Sequence, residues 1–262
     1  MIRFIEFFGK RTISALEELG YAVSLTIDSI VWLFLGGLRK QSVQLTAIAR
    51  EVVVIGVQAI PIVSVLCFAV GVMLAIQGID TLRTFGAEYK VVLGIALAIP
   101  REFSPLIVGI LVAGRSGSAI TARIGTMIES QEIDALRVIG IHPNRHLSAP
   151  LMLAMMIAVP LLTILGDFMG LLGGGVFASM ELGMSLNAYA ERTMEVLEPH
   201  DIFQGLIKSA VFAVIIAIVG VSNGFQVRGG AEGVGKATTR SVVMAISYIV
   251  VVDMIFTYFL NR

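Results

Sequence analysis

The sequence predicts an all-α integral membrane protein with about five transmembrane helices, N-terminal interfacial helices and a short cytoplasmic helix. Hydrophobic residues make up 56% of the 262 residues and charged residues only 15%, whereas a soluble domain is usually about 25% charged. Five apolar runs are long enough to cross a bilayer, since a transmembrane helix needs about 20 mainly apolar residues. Lysine and arginine are also distributed very unevenly between alternate loops. A bilayer is therefore the solvent that this composition fits.

The predicted spans are residues 52–76, 91–113, 147–178, 202–221 and 241–260. Pro100 and Pro105 interrupt the second span, where each removes a backbone donor and bends the helix. The third apolar stretch is longer than one span requires, so we expect a tilted helix plus a short re-entrant or periplasmic piece. No repeat or low-complexity linker divides residues 51–262, which we predict to form one transmembrane domain.

Residues 22–38 form a doubtful sixth span, because they are short and contain Asp28 among hydroxyl side chains. With five spans and the N-terminus inside, the inner segments carry 13 Lys and Arg residues and the outer segments 4. A sixth span reduces this asymmetry to 10 against 7 at best. The positive-inside rule therefore favours five spans, with a cytoplasmic N-terminus and a periplasmic C-terminus. Residues 1–50 become cytoplasmic-side interfacial helices, whose aromatic and aliphatic side chains dip into lipid.

Four of the five spans contain ionisable side chains, each of which costs at least ~2.5–3.5 kcal/mol at mid-bilayer. Arg101 and Glu102 are neighbours and point ~100° apart on a helix, so they need partners on other helices. Lys208 and Asp253, in consecutive spans, could pair with each other. Such charges either fix helix packing through internal salt bridges or line a polar cavity that contacts a headgroup, and the two interpretations are compatible. We expect Asp167 near the outer interface.

Three glycines of the third span, Gly166, Gly170 and Gly174, are spaced four residues apart and lie on one helix face. Small residues at this spacing let two helix backbones approach closely. We favour packing within one subunit over a seam between two subunits.

Residues 230–237 match the G-x-x-x-x-G-K part of a phosphate-binding loop, but Ala237 occupies the position of the hydroxyl that ligates Mg²⁺. A membrane span precedes the segment, whereas the motif requires a strand of a soluble domain. We therefore predict a flexible cytoplasmic turn, and we expect this chain to hold no cofactor. One cysteine, Cys67, excludes a disulfide framework within the chain, and the zero net charge suggests no nucleic-acid surface. No catalytic sequence motif supports an enzyme.

The segment after the second span, residues 114–146, is predicted to be a long cytoplasmic loop that contains one helix, residues 129–139. Apolar side chains occupy one side of this helix. Gly140 ends the helix, and Pro143 prevents it from resuming. Docking onto a partner is the favoured role, and lying on the lipid surface is the alternative. The predicted docking residues are Glu129, Glu132, Ile133, Asp134, Leu136 and Arg137.

Several short motifs occur in order over roughly residues 50–262. They are REFSP at 101–105, AGRSGSA at 113–119, EIDALR at 132–137 followed by Gly140 and Pro143, LIKS at 206–209 and ATTR at 237–240. In these motifs the sequence resembles the MlaE/YrbE family of permeases.

The resemblance implies the permease subunit of an ABC-type transporter that moves phospholipid between a bacterial inner membrane and a periplasmic MCE-domain carrier, which maintains outer-membrane lipid asymmetry. It further implies a homodimer, a cytoplasmic ATPase that binds ATP and Mg²⁺, and a separate STAS-domain protein. By motif match, Arg101, Glu102, Lys208 and Asp253 fall on the lipid cavity and its polar network, and residues 129–139 on the coupling helix that contacts the ATPase. Two alternatives are an ion-coupled secondary transporter that uses the intramembrane carboxylates and a passive scaffold for a carrier.

Overall fold

The computed structural model describes residues 45–260, together with Gly20 and Ser24. Five helices in this part of the chain are long and apolar enough to cross a membrane: Leu45–Arg83, Glu88–Glu129, His146–Leu182, Pro199–Phe225 and Gly230–Phe259. We call them the first to fifth spans. The predicted all-α membrane fold with five spans is confirmed. The predicted interfacial helices before residue 45, and the doubtful segment 22–38, lie outside the described residues apart from those two positions.

The described residues form ten α-helices and five short 3-10 or π turns; eight of the α-helices belong to the spans, and the other two, Glu132–Val138 and Leu186–Val196, lie between spans. The α-helices are α1 (Leu45–Ile55), α2 (Ile60–Arg83), α3 (Val91–Ala98), α4 (Ser104–Val112), α5 (Ser118–Glu129), α6 (Glu132–Val138), α7 (Ala149–Leu182), α8 (Leu186–Val196), α9 (Pro199–Phe225) and α10 (Gly230–Leu260). The 3-10 turns are Val57–Ala59 and Glu88–Lys90, and the π turns are Ile99–Phe103, Ala113–Gly117 and Asn144–Ser148.

The breaks within the first two spans follow from glycine and proline. Gly56 separates α1 from the 3-10 turn, and Pro61 lies in the first turn of α2, where its missing N–H costs nothing. In the second span Pro100 lies inside the first π turn and Pro105 starts α4. Each proline removes a donor from the ladder, and the π turn accommodates the disruption without ending the helix.

The third span is the centre of the bundle, and 61% of the residues in its most apolar stretch are buried. It contains α7, a single helix of 34 residues, so the predicted re-entrant piece is wrong. A helix of this length spans about 51 Å, well beyond a hydrocarbon core of about 30 Å, so the surplus turns extend past the apolar layer. Gly183 ends α7 at a positive φ of 65°.

The glycines of α7 face other helices of the same chain. A Cβ on Gly166 would lie 2.5 Å from Ser104 Oγ and 3.1 Å from Cys67 Sγ, and one on Gly174 would lie 2.9 Å from Ile95 Cγ2. Gly170 packs on Ile99, and its carbonyl oxygen occupies the space that a Cβ on Gly71 of α2 would need. Backbone therefore meets backbone where the first and third spans cross.

The connection between the second and third spans differs from the predicted loop in its first half. After the π turn at Ala113–Gly117 the second span continues as α5 to Glu129, so residues 114–129 are helical. A left-handed Gln131, with φ of 60°, turns the chain into α6, and Gly140 at φ of 80° follows that helix. Ile133 is buried against the bundle, while the side chains of Val138 and Ile139 are exposed.

Residues 230–237 are helical, so the predicted flexible turn is wrong. Gly229 and Gly230 adopt positive φ values of 98° and 69°, and they complete the turn before α10 begins at Gly230. Glu232 and Lys236, four residues apart, pair at 2.6 Å on the exposed face of the first turns. The glycines at 233 and 235 lie within the regular helix α10 and do not form a loop.

Candidate functional site

Two adjacent side chains of the second span, Arg101 and Glu102, begin a charged network that joins the second, fourth and fifth spans. Both lie in the π turn Ile99–Phe103, whose backbone stays helical, so their side chains diverge. Each therefore has its own partner, and the two partners lie at different positions along α9. Arg101 pairs with the start of α9, and Glu102 with Lys208 farther along the same helix.

Arg101 holds the N-terminal turn of α9 through Asp201. Its Nε donates to Asp201 Oδ1 at 2.8 Å, and its Nη2 approaches the same oxygen at 2.6 Å. Asp201 Oδ2 accepts from the backbone N–H of Glu198 at 3.0 Å, as part of a capping box. The carboxylate is buried and lies at a helix N-terminus, where the helix dipole favours negative charge.

Lys208 is the centre of the second half of the network, and only 1% of its surface is exposed. Its Nζ donates to Glu102 Oε2 at 2.5 Å and to Thr257 Oγ1 at 3.1 Å. Asp253 Oδ1 lies 3.2 Å from the same ammonium group. The pairing of Lys208 with Asp253, which the sequence suggested, is present, and Glu102 is the shorter contact.

Thr257 connects the network to α10. Its Oγ1 lies 3.1 and 3.0 Å from the two oxygens of Glu102 and 2.9 Å from the carbonyl of Asp253. The single hydroxyl proton can serve one of these acceptors at a time, while the oxygen accepts from Lys208. One ammonium group thus faces two carboxylates, so this half of the network carries an excess of one negative charge when all three are ionised.

The network lies toward the end of the bundle that carries α8. Lys208 is nine residues after Pro199, or about 14 Å along α9, and Asp253 is seven residues before Leu260, or about 10 Å. The side chains of Arg101 and Glu102 remain 33% and 29% exposed. The arrangement can therefore offer both signs of charge to a polar group within an otherwise apolar layer.

Asp201 and Thr257 are network residues that the sequence interpretation missed. Asp201 lies just before the predicted fourth span, 202–221, although Glu198, Pro199 and Asp201 together form the start signal of a helix. Thr257 follows Asp253 by four residues and so shares its helix face, a spacing that was available in the sequence.

Asp167 is separate from the network. It lies near the middle of α7 and is 8% exposed. Its Oδ1 has no hydrogen-bond partner in the part of the chain that the structure describes. The expected position of Asp167 near the outer interface stays a prediction.

The predicted docking residues occupy the turn around α6. Ile133 is buried and fixes α6 to the bundle, whereas Glu132, Asp134 and Arg137 are exposed. Arg137 Nη1 pairs with Asp134 Oδ1 at 3.1 Å, and Ser130 Oγ donates to Glu132 Oε1 at 2.9 Å. The exposed surface thus combines charges with the apolar side chains that follow α6.

At the opposite end of the bundle, α8 covers the glycine-lined surface of α7 with Tyr189. A Cβ on Gly175 would lie 2.7 Å from Tyr189 Cδ1. Burial raises the pKa of the Tyr189 phenol to about 12, so the ring stays neutral. Arg83 and Glu181 also pair at 2.7 Å and tie the ends of the first and third spans together.

The described residues contain no group of three or more His, Cys, Asp or Glu side chains that could hold a metal ion.

Most of the chain is similar in sequence to known proteins. The family model described as Permease MlaE matches residues 48–259. A probable ABC transporter permease protein of Rickettsia prowazekii is 33% identical over 257 residues, which cover 98% of this chain and 97% of the relative. The intermembrane phospholipid transport system permease protein MlaE of Haemophilus influenzae is 30% identical over 258 residues, covering 98% and 97%. The chloroplastic protein TRIGALACTOSYLDIACYLGLYCEROL 1 of Arabidopsis thaliana is 37% identical over 190 residues, covering 72% and 54%.

Proposed function

The chain belongs to the MlaE permease family, and from this membership we propose that it is the membrane subunit of an ABC-type phospholipid transporter in a bacterial inner membrane. The Haemophilus relative is named for intermembrane phospholipid transport, which supports the substrate class. In this proposal the subunit passes phospholipid between the inner membrane and a periplasmic MCE-domain carrier, and so maintains outer-membrane lipid asymmetry.

The observation that carries the proposal is the charged network on the second, fourth and fifth spans. A passive anchor does not require five ionisable groups within its spans, because each is costly there and is retained where it serves a pathway or a polar ligand. Arg101 and Glu102 are partly exposed, so a headgroup can reach both signs of charge. Lys208 holds the two carboxylates in place, and apolar surfaces beside the network accommodate acyl chains.

The fifth span supports a homodimer, which is the second element of the proposal. Only 11% of the residues in its most apolar stretch are buried, although its other face carries the network. The exposed side chains include Val243, Val250, Val251, Met254 and Tyr258. A second copy that covers this face places two networks on either side of a shared cavity open to the periplasm.

The energy source in this proposal is a separate ATPase. The segment 129–139 docks on it, with Val138 and Ile139 as apolar contacts and Glu132, Asp134 and Arg137 as polar ones. ATP and Mg²⁺ are bound by that partner, which a STAS-domain protein accompanies. The N-terminus is cytoplasmic and the C-terminus periplasmic, as the Lys and Arg distribution suggests.

Reconstitution of the complete complex in liposomes tests the proposal. We expect ATP-dependent transfer of labelled phospholipid to the carrier, with a loss of at least tenfold in Glu102→Ala and Lys208→Ala. Glu232→Ala and Lys236→Ala, in an exposed pair of the same charge types, serve as matched controls and retain transfer. Normal transfer in both network variants would contradict the role of the charged network in phospholipid transfer. Gradient-driven transport by this chain alone, without an ATPase, would instead identify the secondary transporter.

A further inference from the structure

A second set of charged contacts, at the opposite end of the bundle from the network, joins α1 to the second span. Arg115 Nη2 donates to Gln58 Oε1 at 2.9 Å, and its Nη1 reaches the carbonyl oxygen of Val54 at 3.4 Å. Arg123 Nη1 pairs with Glu51 Oε1 at 2.7 Å. The side chain of Glu51 is only 17% exposed. We call these four side chains, Glu51, Gln58, Arg115 and Arg123, the clamp.

The clamp bridges two interruptions of helical structure. Gln58 lies in the 3-10 turn Val57–Ala59, where the first span breaks between α1 and α2. Arg115 lies in the π turn Ala113–Gly117, where the second span breaks between α4 and α5. The carbonyl of Val54 belongs to the last turn of α1, where helical carbonyls lack intrahelical partners, and Arg115 supplies a donor from another span.

Beyond the breaks, the two helices are tied a second time by Arg123 and Glu51, within the terminal segments α5 and α1. The first span is therefore held to the second span at two points about two turns apart, at Arg115 in the π turn and at Arg123 in α5. The link between α1 and α2 runs through Gly56, where an added Cβ would lie 3.4 Å from the Cβ of Ala158. These contacts connect α5 to α1 through side chains, and the turn at residues 56–59 separates α1 from α2.

The segment α5 leads directly into α6. Only Ser130 and Gln131 separate them, and the buried Ile133 fixes α6 to the bundle. We propose that the clamp is a positioning device: Arg115 and Arg123 transmit movement of the docking segment 129–139 to the first span, and so couple ATP hydrolysis in the partner to lipid transfer. This inference rests on the proposed function and extends it to residues outside the charged network.

Measurement of lipid transfer and ATP hydrolysis in the same reconstituted complex tests the proposal. We expect Arg115→Ala to lower the number of lipids transferred per ATP at least fivefold, with ATP hydrolysis within twofold of the unchanged complex. Arg50→Ala removes an exposed arginine next to Glu51 and serves as the matched control, with an unchanged ratio. An unchanged ratio in Arg115→Ala, or a parallel fall of both rates, would overturn the proposal, since a parallel fall indicates a merely structural role.

A charge exchange keeps the test informative if Arg115→Ala does not assemble. Glu51→Arg and Arg123→Glu should each lower lipids per ATP at least threefold, and the double variant should recover at least half of the original ratio. Failure of the double variant to recover, in a complex that assembles normally, contradicts the coupling role. Absence of phospholipid transfer in the unchanged complex would contradict the proposed function instead, so the two failures are distinguishable.

Discussion

The third and fifth spans have similar mean hydropathy, 2.2 and 2.1, and opposite surroundings. In the third span 61% of the residues in the most apolar stretch are buried, against 11% in the fifth. The third span gains its burial from glycines, which bring its backbone against that of the first span. The fifth span meets its own chain through Ser241, Ala245, Ile249 and the network residues, and leaves its opposite face open. Apolar character therefore places both helices in the membrane, whereas side-chain size decides which one forms the core.

The largest effect is expected where the first and third spans touch. In Gly71→Val the new Cβ would clash with the backbone carbonyl of Gly170, which cannot move without displacing α7. We expect a cost of more than about 3 kcal/mol, because overpacking against backbone has no side-chain relief. The yield of monodisperse protein in size-exclusion chromatography would measure it. Gly94→Val, in α3 with open space around its Cβ position, is the matched control and should behave normally.

A smaller effect is expected where the fifth span meets the network. Lys208→Met leaves Glu102 and Asp253 facing each other without their shared cation. We expect a cost of about 2–4 kcal/mol, below that of a fully buried pair because Glu102 is partly exposed to solvent. Thermal unfolding in detergent would measure it. The triple variant that adds Glu102→Gln and Asp253→Asn should regain most of the stability without regaining transport, and transport at the original rate in that variant would contradict the headgroup role.

Substitution of one methionine by alanine in each of the two spans tests directly whether the third span is buried and the fifth exposed. Met155 of the third span is 0% exposed, whereas Met254 of the fifth is 65% exposed. Met155→Ala should destabilise the protein by about 2–4 kcal/mol through the cavity it leaves. Met254→Ala should change the unfolding free energy of one chain by less than about 0.5 kcal/mol. Equal shifts of the unfolding midpoint in a monomeric preparation would mean that the fifth span is buried in some other way.

The smallest effect concerns the cover of the third span by Tyr189. Its hydroxyl group is buried without a hydrogen-bond partner in the described part of the chain. Removal of an unsatisfied polar group relieves a desolvation penalty, so Tyr189→Phe should be neutral or should stabilise by up to about 1 kcal/mol. Chemical unfolding would show this as a small rise in midpoint, and a loss of stability would reveal a partner for the hydroxyl.

The number of spans and the main charged residues could be predicted from the sequence, because bilayer thickness fixes the length of an apolar run and burial makes a charge conspicuous. Arg101, Glu102, Lys208 and Asp253 were identified on that basis, and the structure brings them together. Asp201 is not among them, since hydropathy does not locate the first turn of a helix; the capping residues Glu198 and Pro199 are the signal that marks it.

The errors share a physical cause, which is that hydropathy reports the apolar layer and not the helix. The third span and the fifth both continue as helix beyond the apolar layer, so a re-entrant piece and a flexible turn were expected where regular turns occur. A run of glycines near residue 230 looked like a loop, but a helix that is already formed tolerates them at a modest cost of about 1 kcal/mol each.

The two π turns of the second span also determine the direction, around the helix axis, in which the later side chains of that span point. A π turn inserts one residue into a helix, which rotates later side chains by about 100° relative to an uninterrupted α-helix. Arg115 and Arg123 face the first span only with that added rotation. Deletion of one residue from Ile99–Phe103 would therefore leave span length and hydropathy almost unchanged while turning the whole inner half of the helix away from its neighbours. In this protein, each single-residue insertion therefore determines which neighbouring helix the following part of the second span contacts.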